Sequence, residues 1–342
     1  MSARPKVSED QKLERAARLA VKKYLHKSHP TPRHAWRIIS PHPLHNVVGV
    51  AIGQKRVKGK DTSTRCIRLF VRHRFVLPRK SKFALPKKIA GVPTDIIAVG
   101  TPRHTGNDNG GVIDLKRLRP ARPGCWLTAQ PLTDISYPTQ GTLGAVLEDE
   151  KGKLYLLSNN HVIAVEDQNS KGDAVYQPTT ESSNKIATLF TVIPLNHDGP
   201  NTVDCALAKV ISAKDVSGVP LDPVGPLSSA APMEPQVGSK VEKMGATTGH
   251  TIGTVVSTNA TFKVDGYDTA PDLLLEEQIQ VENGDEDFCD HGDSGSLVVD
   301  VKTKRAVGLL AVNMGGFALA NRLSNVITAL STKLGSQLTL KI

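Results

Sequence analysis

The sequence predicts a mainly β protein whose first part is a small α+β region. Short apolar runs rich in Val, Leu and Ile recur from Gly124 onward, and turn residues such as Gly, Pro, Asn and Asp separate them. That pattern is typical of a β-barrel or a β-sandwich. The 342 residues are 39% hydrophobic and 22% charged, an ordinary globular composition that excludes general disorder. Because aromatic residues make up only 4%, the core must consist mainly of Val, Leu, Ile and Ala.

The first 100 residues predict one helix and three strands. Glu9–Leu25 places Leu, Ala, Val and Tyr side chains along one helical face, with Arg and Lys outside it. Strands are expected at Val47–Ile52, Cys66–Val71 and Thr94–Val99. A short helix or turn is expected at Pro86–Ile89. Residues 1–100 are therefore predicted to form a basic α+β accessory domain, and residues 101–123, rich in Gly, Arg, Pro and Asn, suit a linker.

Residues 124–342 predict an all-β unit closed by a helix. A hairpin is expected where Gly141–Leu147 and Lys153–Ser158 flank a charged turn that ends in glycine. Further short strands are expected at Ile186–Ile193, Cys205–Val210, Ser239–Met244, Gly253–Ser257, Leu273–Gln278, Gly295–Val299 and Ala306–Val312. An amphipathic pattern predicts the closing helix at about 322–336.

Charge divides the chain into two regions of opposite sign. Residues 1–122 carry a net charge of +21, and the remainder carries −11. The basic residues of the first region include Arg65, Arg68, Arg72, Arg74, Arg79, Lys80, Lys82, Lys87 and Lys88. Three interpretations of these basic residues stay open. They could bind the phosphates of a nucleic acid, or they could dock on an acidic protein partner or on the acidic region of this chain. They could also form a solvated sheet face, because the even spacing of Arg68 and Arg72 places both on one side of a strand.

The sequence predicts neither a membrane helix nor a secretory signal. No apolar run reaches the ~20 residues of a membrane helix, and no apolar core follows the N-terminus as a secretory signal requires. Cys66, Cys125, Cys205 and Cys289 are widely scattered, with no CxxC pair. We therefore expect free thiols, a cytoplasmic location and no membrane partner. Cys289, Asp290 and His291 lack a partner pair for a metal site, so we expect neither a metal nor another cofactor.

The segment His291-Gly292-Asp293-Ser294-Gly295-Ser296 has the features of a nucleophile turn. Glycines on both sides of Ser294 permit a tight turn, and they allow backbone N–H groups to converge on a developing oxyanion. A serine nucleophile also needs a base, and the base needs an orienting carboxylate. His161 follows an apolar strand and Asp204 precedes another, and both are candidates for these roles. Asp198 is an alternative carboxylate nearby.

Three segments resemble the His, Asp and Ser motifs of chymotrypsin-like (trypsin-like) serine peptidases. They are LYLLSNNHVI, NTVDCALAKV and CDHGDSGSLVV, and they occur in that family's chain order. A fourth segment, KMGATTGHTIGTVVS, resembles the start of the second barrel in bacterial members. The resemblance spans about 124–336. It implies two six-stranded antiparallel β-barrels, at about 124–215 and 236–320, with a C-terminal helix and with the active site between the barrels.

The resemblance also implies roles for individual residues. His161 would be the general base, Asp204 its orienting carboxylate and Ser294 the nucleophile, and the N–H groups of Gly292 and Ser294 would form the oxyanion hole. The base of the specificity pocket would be Phe288, six residues before the serine, with a wall that includes Ala311, Asn313 and Phe317. Such a pocket favours a small or medium apolar side chain before the scissile bond. Asp287 and Asp290 lie close to Phe288 in the sequence, so a small shift of the alignment would restore a preference for a basic side chain.

Some positions differ from the secreted members of that family. Val162 stands where a cysteine usually lies beside the catalytic histidine, and Cys289 has no cysteine downstream of it to pair with. No activation site that would create an Ile-Val type N-terminus is evident before the barrel, so Asp293 cannot be assumed to pair with such a terminus. The first 100 residues resemble, more distantly, the strand-rich segment before the peptidase domain of some intracellular bacterial and plant trypsin-like proteins.

These observations predict an intracellular serine endopeptidase that acts on protein or peptide substrates. With no cleavable pro-segment in evidence, we expect regulation by the N-terminal domain or by a partner. Two alternatives remain at this point. The chain could be a catalytically silent binding or scaffold protein on a peptidase fold, or a nucleic-acid-associated module that uses its basic N-terminal domain.

Overall fold

A computed structural model describes residues 8–26, 39–58, 60–78, 80–104, 116–132, 139–267, 269, 272–284 and 286–342. Residues 105–115 of the expected linker and Arg79 of the basic cluster lie outside the described residues. In these ranges no helix is both long enough and apolar enough to cross a membrane.

The N-terminal region forms a helix packed on a small group of strands. In chain order its elements are α1 (Glu9–Tyr24), α2 (Pro43–Asn46), β1 (Val47–Val57), β2 (Lys60–Val71), β3 (Lys88–Ile89), β4 (Val92–Ala98) and β5 (Arg103–His104). Helix α1 begins with a reciprocal cap, because Ser8 accepts a hydrogen bond from the N–H of Gln11 and the Gln11 side chain accepts one from Ser8. The segment Pro86–Ile89 was expected to form a helix or turn, but its last two residues form the strand β3, which pairs with β4.

The next part of the chain closes into a six-stranded barrel. Its elements are β6 (Trp126–Ala129), β7 (Gln140–Thr142), β8 (Ala145–Asp149), β9 (Leu154–Ser158), α3 (Asn160–Ile163), β10 (Ala174–Tyr176), β11 (Lys185–Val192), β12 (Pro200–Asn201) and β13 (Ala206–Val210). Strands β8, β9, β13, β11, β10, β6 and β7 pair in that order, all antiparallel. Only Leu143 and Gly144 separate β7 from β8, so these two act as one bent strand that closes barrel one.

The last part of the chain forms the second barrel. Its elements are β14 (Lys240–Gly245), β15 (Gly249–Val264), β16 (Leu273–Glu282), β17 (Leu297–Asp300), β18 (Ala306–Asn313), β19 (Phe317–Arg322), α4 (Leu323–Leu334) and β20 (Leu338–Leu340). Two short strands cross over: β20 pairs with β8 of barrel one, and β12 pairs with β16 of barrel two. Antiparallel pairing runs through β14, β15, β16, β19, β18 and β17 and returns to β14. The predicted fold class, two six-stranded antiparallel barrels with a C-terminal helix, is therefore confirmed.

The N-terminal strands extend the sheet of barrel two. β1 pairs antiparallel with β15, and β2, β4 and β3 continue the sheet beyond β1. Phe70 of β2 is buried with its ring centroid 4.9 Å from that of Phe262 and 5.9 Å from that of Phe317. The N-terminal region and barrel two therefore share an apolar core as well as a sheet.

Two residues of the basic cluster are buried. Arg68 is 1% exposed, and its guanidinium donates to the carbonyl oxygen of Gln54 and to Asp61. Arg72 is ion-paired to Asp265 at 3.1 Å. The interpretation of Arg68 and Arg72 as a solvated sheet face is therefore wrong. Their burial is tolerated because each charge has polar partners.

The barrels pack against each other through an apolar layer that α4 covers. The layer includes Leu147, Leu157 and Leu207 of barrel one, Leu297 and Leu309 of barrel two, and Leu323, Val326 and Leu330 of α4. β9 ends and β13 begins at the edge of this layer, and β17 begins there on the facing barrel. This arrangement places the three sequence motifs at the junction of the two barrels.

Candidate active site

His161 and Asp204 form a buried pair at the edge of barrel one. His161 lies in the single helical turn α3 that follows β9, and Asp204 lies two residues before β13. The His161 Nδ1 atom is 2.5 Å from the Asp204 Oδ2 atom, and the backbone N–H of His161 donates to Oδ1 at 3.2 Å. Since a carboxylate only accepts hydrogen bonds, Nδ1 carries a proton, and Nε2 is the ring nitrogen that can act as the base.

Asp204 is held by groups from both barrels. The hydroxyl of Tyr267 donates to its Oδ2 atom at 2.9 Å, and Asn321 Oδ1 accepts the Asp204 N–H at 2.8 Å. Asn159 donates to the Asp204 carbonyl oxygen at 2.7 Å. Burial alone would raise the pKa of Asp204, but the charge of His161 and the hydrogen bonds from His161 and Tyr267 outweigh burial and lower it. The carboxylate is therefore kept ionised in a dry site.

Ser294 lies in a tight turn of barrel two, just before β17. Its side chain is fully buried, and its Oγ donates to the carbonyl oxygen of Ala311 on β18 at 3.3 Å. Gly295 has a φ of +91°, and a Cβ atom there would lie 2.3 Å from Ser158 Oγ and 2.4 Å from the Thr142 carbonyl oxygen. Only glycine fits at this position, because both the backbone conformation and the space exclude a side chain.

Thr142 joins the serine turn to barrel one. Its N–H donates to the Ser294 carbonyl oxygen at 2.8 Å, and its hydroxyl donates to the Gly292 carbonyl oxygen at 2.8 Å. The carbonyl oxygen of Thr142 accepts a hydrogen bond of 2.9 Å from the hydroxyl of Ser158, which lies three residues before His161. Thr142 thus holds the Ser294 turn against the strand end that carries His161.

The Asp293 carboxylate fixes the shape of the expected oxyanion loop. Both Asp293 and Lys243 of β14 are fully buried, and Lys243 Nζ lies 3.0 Å from Asp293 Oδ2. The N–H groups of Thr247, Thr248 and Asp290 and the Thr248 hydroxyl also donate to Asp293, at 2.6–3.1 Å. Lys243 therefore places a positive charge directly beside the buried Asp293 carboxylate.

Gly292 is the other residue expected in the oxyanion hole. It has a φ of +94°, and a Cβ atom there would lie 2.3 Å from Thr247 Oγ1 and 2.8 Å from the Trp126 ring. Hydrogen bonds hold the carbonyl oxygens of the two peptide bonds that flank Gly292. The Thr247 hydroxyl donates to the His291 carbonyl oxygen at 2.6 Å, and the Thr142 hydroxyl donates to the Gly292 carbonyl oxygen. This loop is rigidly supported by both barrels, as a preorganised oxyanion site requires.

The four residues expected to form the specificity pocket lie in different surroundings. Phe288 is buried in the interior of barrel two with residues such as Val241 and Val281. Ala311 and Phe317 belong to the cluster shared with the N-terminal strands, and Asn313 donates to the Cys289 carbonyl oxygen at 2.8 Å. The pocket assignment of Phe288, Ala311, Asn313 and Phe317 stays a prediction.

Sequence reasoning missed four supporting residues: Thr142, Lys243, Tyr267 and Asn321. Lys243 occurs on an alternating strand, where a lysine is normally on the solvent side, so nothing in the pattern marks it as buried. The one available signal was negative, namely that Asp293 could not be assumed to pair with a new N-terminus. Tyr267 and Asn321 come from segments remote in sequence from Asp204.

Other features of the site concern cysteines and metals. All four cysteines are free and buried. Burial raises the pKa of the Cys289 thiol well above its ordinary value, with a smaller contribution from Asp293. Among the residues with a described placement, no group of three His, Cys, Asp or Glu side chains is arranged to hold a metal ion.

Comparisons with known proteins find distant structural likenesses. No protein-family model and no curated protein matches the chain. Thermobifida fusca protease A is 20% identical with a TM-score of 0.44, covering 64% of this chain and 100% of its own. A Nocardiopsis protease is 14% identical with a TM-score of 0.44 (65% and 100%), and Cellulomonas bogoriensis chymotrypsin is 16% identical with a TM-score of 0.41 (64% and 98%). These three neighbours are proteases, and one of them is a chymotrypsin.

Proposed function

We propose that this chain is a serine endopeptidase that cleaves peptide bonds through an acyl-enzyme intermediate. The observation that carries the proposal is the buried pair of His161 and Asp204, with a 2.5 Å contact, at the junction with the glycine-flanked Ser294 turn. The pair fixes the tautomer that a general base needs. The turn is supported from both barrels by Thr142 and Lys243.

The reaction would proceed in two halves. Ser294 Oγ attacks the carbonyl carbon of the scissile bond while His161 Nε2 takes the hydroxyl proton, and the N–H groups of Gly292 and Ser294 stabilise the oxyanion. His161 then gives the proton to the departing amine, and the C–N bond breaks. In the second half, water attacks the ester carbonyl, His161 takes its proton, and Ser294 recovers its proton as the acid product leaves. Asp204 stays ionised throughout and stabilises the charged imidazole.

The finer features of the function are part of the same proposal. Protein or peptide substrates would present a small or medium apolar residue to a pocket near Phe288, Ala311, Asn313 and Phe317. A cytoplasmic location agrees with four buried thiols, since a reducing compartment keeps cysteines free. Regulation by the N-terminal region agrees with its attachment to barrel two through β1 and β15.

The proposal is tested by labelling the purified chain with a fluorophosphonate and mapping the modified residue. We expect modification of Ser294, loss of labelling in His161→Ala, and loss of peptide hydrolysis in Ser294→Ala on the order of 10⁴–10⁶-fold. Ser170→Ala, which changes an exposed serine, serves as the matched control and should keep full activity. Equal turnover by wild type and Ser294→Ala would show that the activity belongs to something else, and a folded chain that neither labels nor hydrolyses would favour the silent scaffold.

The orienting carboxylate is tested separately. Asp198 is exposed in a loop, whereas Asp204 contacts His161 through two hydrogen bonds. Asp204→Asn should lower kcat by about 10⁴-fold because it reverses the hydrogen bond that fixes the imidazole. Asp198→Asn should match the wild type. The reverse result would assign the role to Asp198.

A further inference from the structure

A two-residue strand of this chain lies on the open edge of β18. In β5, Arg103 pairs antiparallel with Asn313, and His104 pairs with Val312. The opposite edge of β18 is occupied by β19, which pairs with the same two residues through Leu319 and Ala318. β5 therefore lies on the same edge of β18 as β17 and the Ser294 turn, which pair with residues of β18 nearer its N-terminal end.

This edge leads directly to the nucleophile. β17 pairs with β18 as far as Leu309, and Leu310 exchanges hydrogen bonds with Gly295 and Ser296 at 2.9 Å each. Ala311 follows, and its carbonyl oxygen accepts the Ser294 hydroxyl. The next two residues are those that β5 covers. An extended peptide could add to this part of β18 as a strand only where β5 now lies.

The direction of β5 is the direction that the acyl part of a substrate would need. Because the pairing is antiparallel, the chain passes Asn313 at Arg103 and then Val312 at His104, approaching Ala311 and Ser294 as it proceeds. A peptide that delivers its carbonyl carbon to Ser294 from this edge must run the same way. β5 thus has both the place and the polarity of the residues that precede a scissile bond.

Residues 99–103 are anchored where they approach this edge. The N–H of Val99 donates to the Val71 carbonyl oxygen at 2.9 Å, and the Asp265 N–H donates to the Pro102 carbonyl oxygen at 2.8 Å. Arg72 donates to the Thr101 hydroxyl and to Asp265, both at 3.1 Å. The segment is therefore clamped between the N-terminal strands and barrel two.

We propose that Thr101–His104 is an internal peptide ligand that occupies the acyl side of the substrate groove and must leave before an extended substrate binds. The inference rests on the proposed peptidase function, and it gives the regulatory role of the N-terminal region a physical form. Competition of this kind raises the apparent KM by the inverse of the open fraction, so a groove that is open about one-tenth of the time weakens binding about tenfold.

The test removes the backbone groups of β5 and keeps its length. In Arg103→Pro/His104→Pro both backbone N–H groups are lost, and since successive N–H groups of a strand point to opposite sides, one of them faces β18. Arg103→Ala/His104→Ala is the matched control, because it removes the same side chains and keeps both N–H groups. Each chain is assayed with a peptide of four residues before the scissile bond and with a single-residue ester that does not reach Val312.

We expect the proline variant to lower the KM of the extended peptide about tenfold and to leave that of the ester unchanged, while the alanine variant behaves as the wild type. An unchanged KM for the peptide, or equal changes for both substrates, would overturn the proposal. Failure of the proposed function is distinct: no chain would turn over the ester or label at Ser294.

A second measurement does not depend on activity or on the folding of the proline variant. In the Ser294→Ala chain, hydrogen exchange of the amides of Thr101, Arg103 and His104 is followed with and without a saturating uncleaved peptide. We expect the peptide to speed exchange there, because it displaces β5, and unchanged exchange in the presence of bound peptide would overturn the proposal. Ser294-dependent cleavage of the wild-type chain between His104 and Lys116, seen by intact mass, would support it, because self-cleavage requires the same segment in the groove.

Discussion

Two buried carboxylates, those of Asp204 and Asp293, position the side chains and the loop of the candidate site. Asp204 contacts His161 and Tyr267, and Asp293 contacts Lys243, with each acid enclosed together with its donors. A buried charge that loses its partner is costly, so these pairs fix geometry more than they add stability. The motifs in the sequence identify the candidate triad residues, but they do not identify the groups that donate hydrogen bonds to the two carboxylates, because partners from distant segments leave no local pattern.

Lys243 should be needed for the shape of the oxyanion loop. Lys243→Met leaves the Asp293 carboxylate buried without a cation, which costs about 3–5 kcal/mol of stability, and a displaced loop should lower kcat by about 10²–10³-fold. Lys243→Arg should restore much of kcat, because the charge returns. The measurement is kcat and KM for a peptide substrate together with urea unfolding. Full activity in a folded Lys243→Met chain would contradict this role.

The lowered pKa of Asp204 predicts how stability depends on pH. A folded pKa below the ordinary value of 3.8 means that folding favours the ionised form, so this stabilisation is complete above 3.8 and is lost as the pH falls through the folded pKa. Asp204→Asn lacks this dependence. The difference in unfolding free energy between wild type and Asp204→Asn should therefore shrink below 3.8, as measured by urea unfolding at several pH values. A constant difference across that range would contradict the lowered pKa.

At the level of elements, the bent strand formed by β7 and β8 links the two barrels. The sequence predicted one continuous strand at 141–147, and the structure divides it at Leu143 and Gly144. Similarly, β15 spans 16 residues where five were expected, because it pairs in turn with β14, β16 and β1. Hydrophobic runs locate strand centres well. They do not show bends or changes of partner, which depend on tertiary pairing.

Thr142 allows the contribution of that bent strand to be measured. Thr142→Val removes the hydroxyl that donates to the Gly292 carbonyl oxygen and accepts the Ala246 N–H. We expect kcat to fall about 10- to 100-fold, since each unsatisfied buried group costs about 1–3 kcal/mol. Thr128→Val is the matched control, because the hydroxyl of Thr128 is also buried and bonded, to the Pro178 carbonyl oxygen, and does not contact the serine turn. Equal kcat values in the two variants would show that Thr142 does not position the serine turn.

At the level of the whole molecule, opposite charges meet where the N-terminal region contacts barrel two. Arg56 pairs with Glu282, and Arg72 pairs with Asp265 at 3.1 Å. Docking on the acidic region of this chain was one of the three interpretations that the charge distribution left open. The sequence could not predict that backbone pairing and a shared apolar core also join the N-terminal region to barrel two. The residue patterns of β1 and β15 do not indicate which strand each pairs with.

The relative weight of charge and apolar packing at this contact can be decided by mutation. Phe70→Ala empties a fully buried site between Phe262 and Phe317, and we expect a loss of about 3–5 kcal/mol that is the same at low and high salt. Arg56→Gln removes the partly exposed pair with Glu282, and we expect a loss on the order of 1 kcal/mol that fades as salt screens the wild-type pair. Urea unfolding of both variants and the wild type at two salt concentrations checks this. If salt lowered the stability of the wild type by as much as Phe70→Ala does, electrostatic attraction rather than the apolar core would hold the N-terminal region on barrel two.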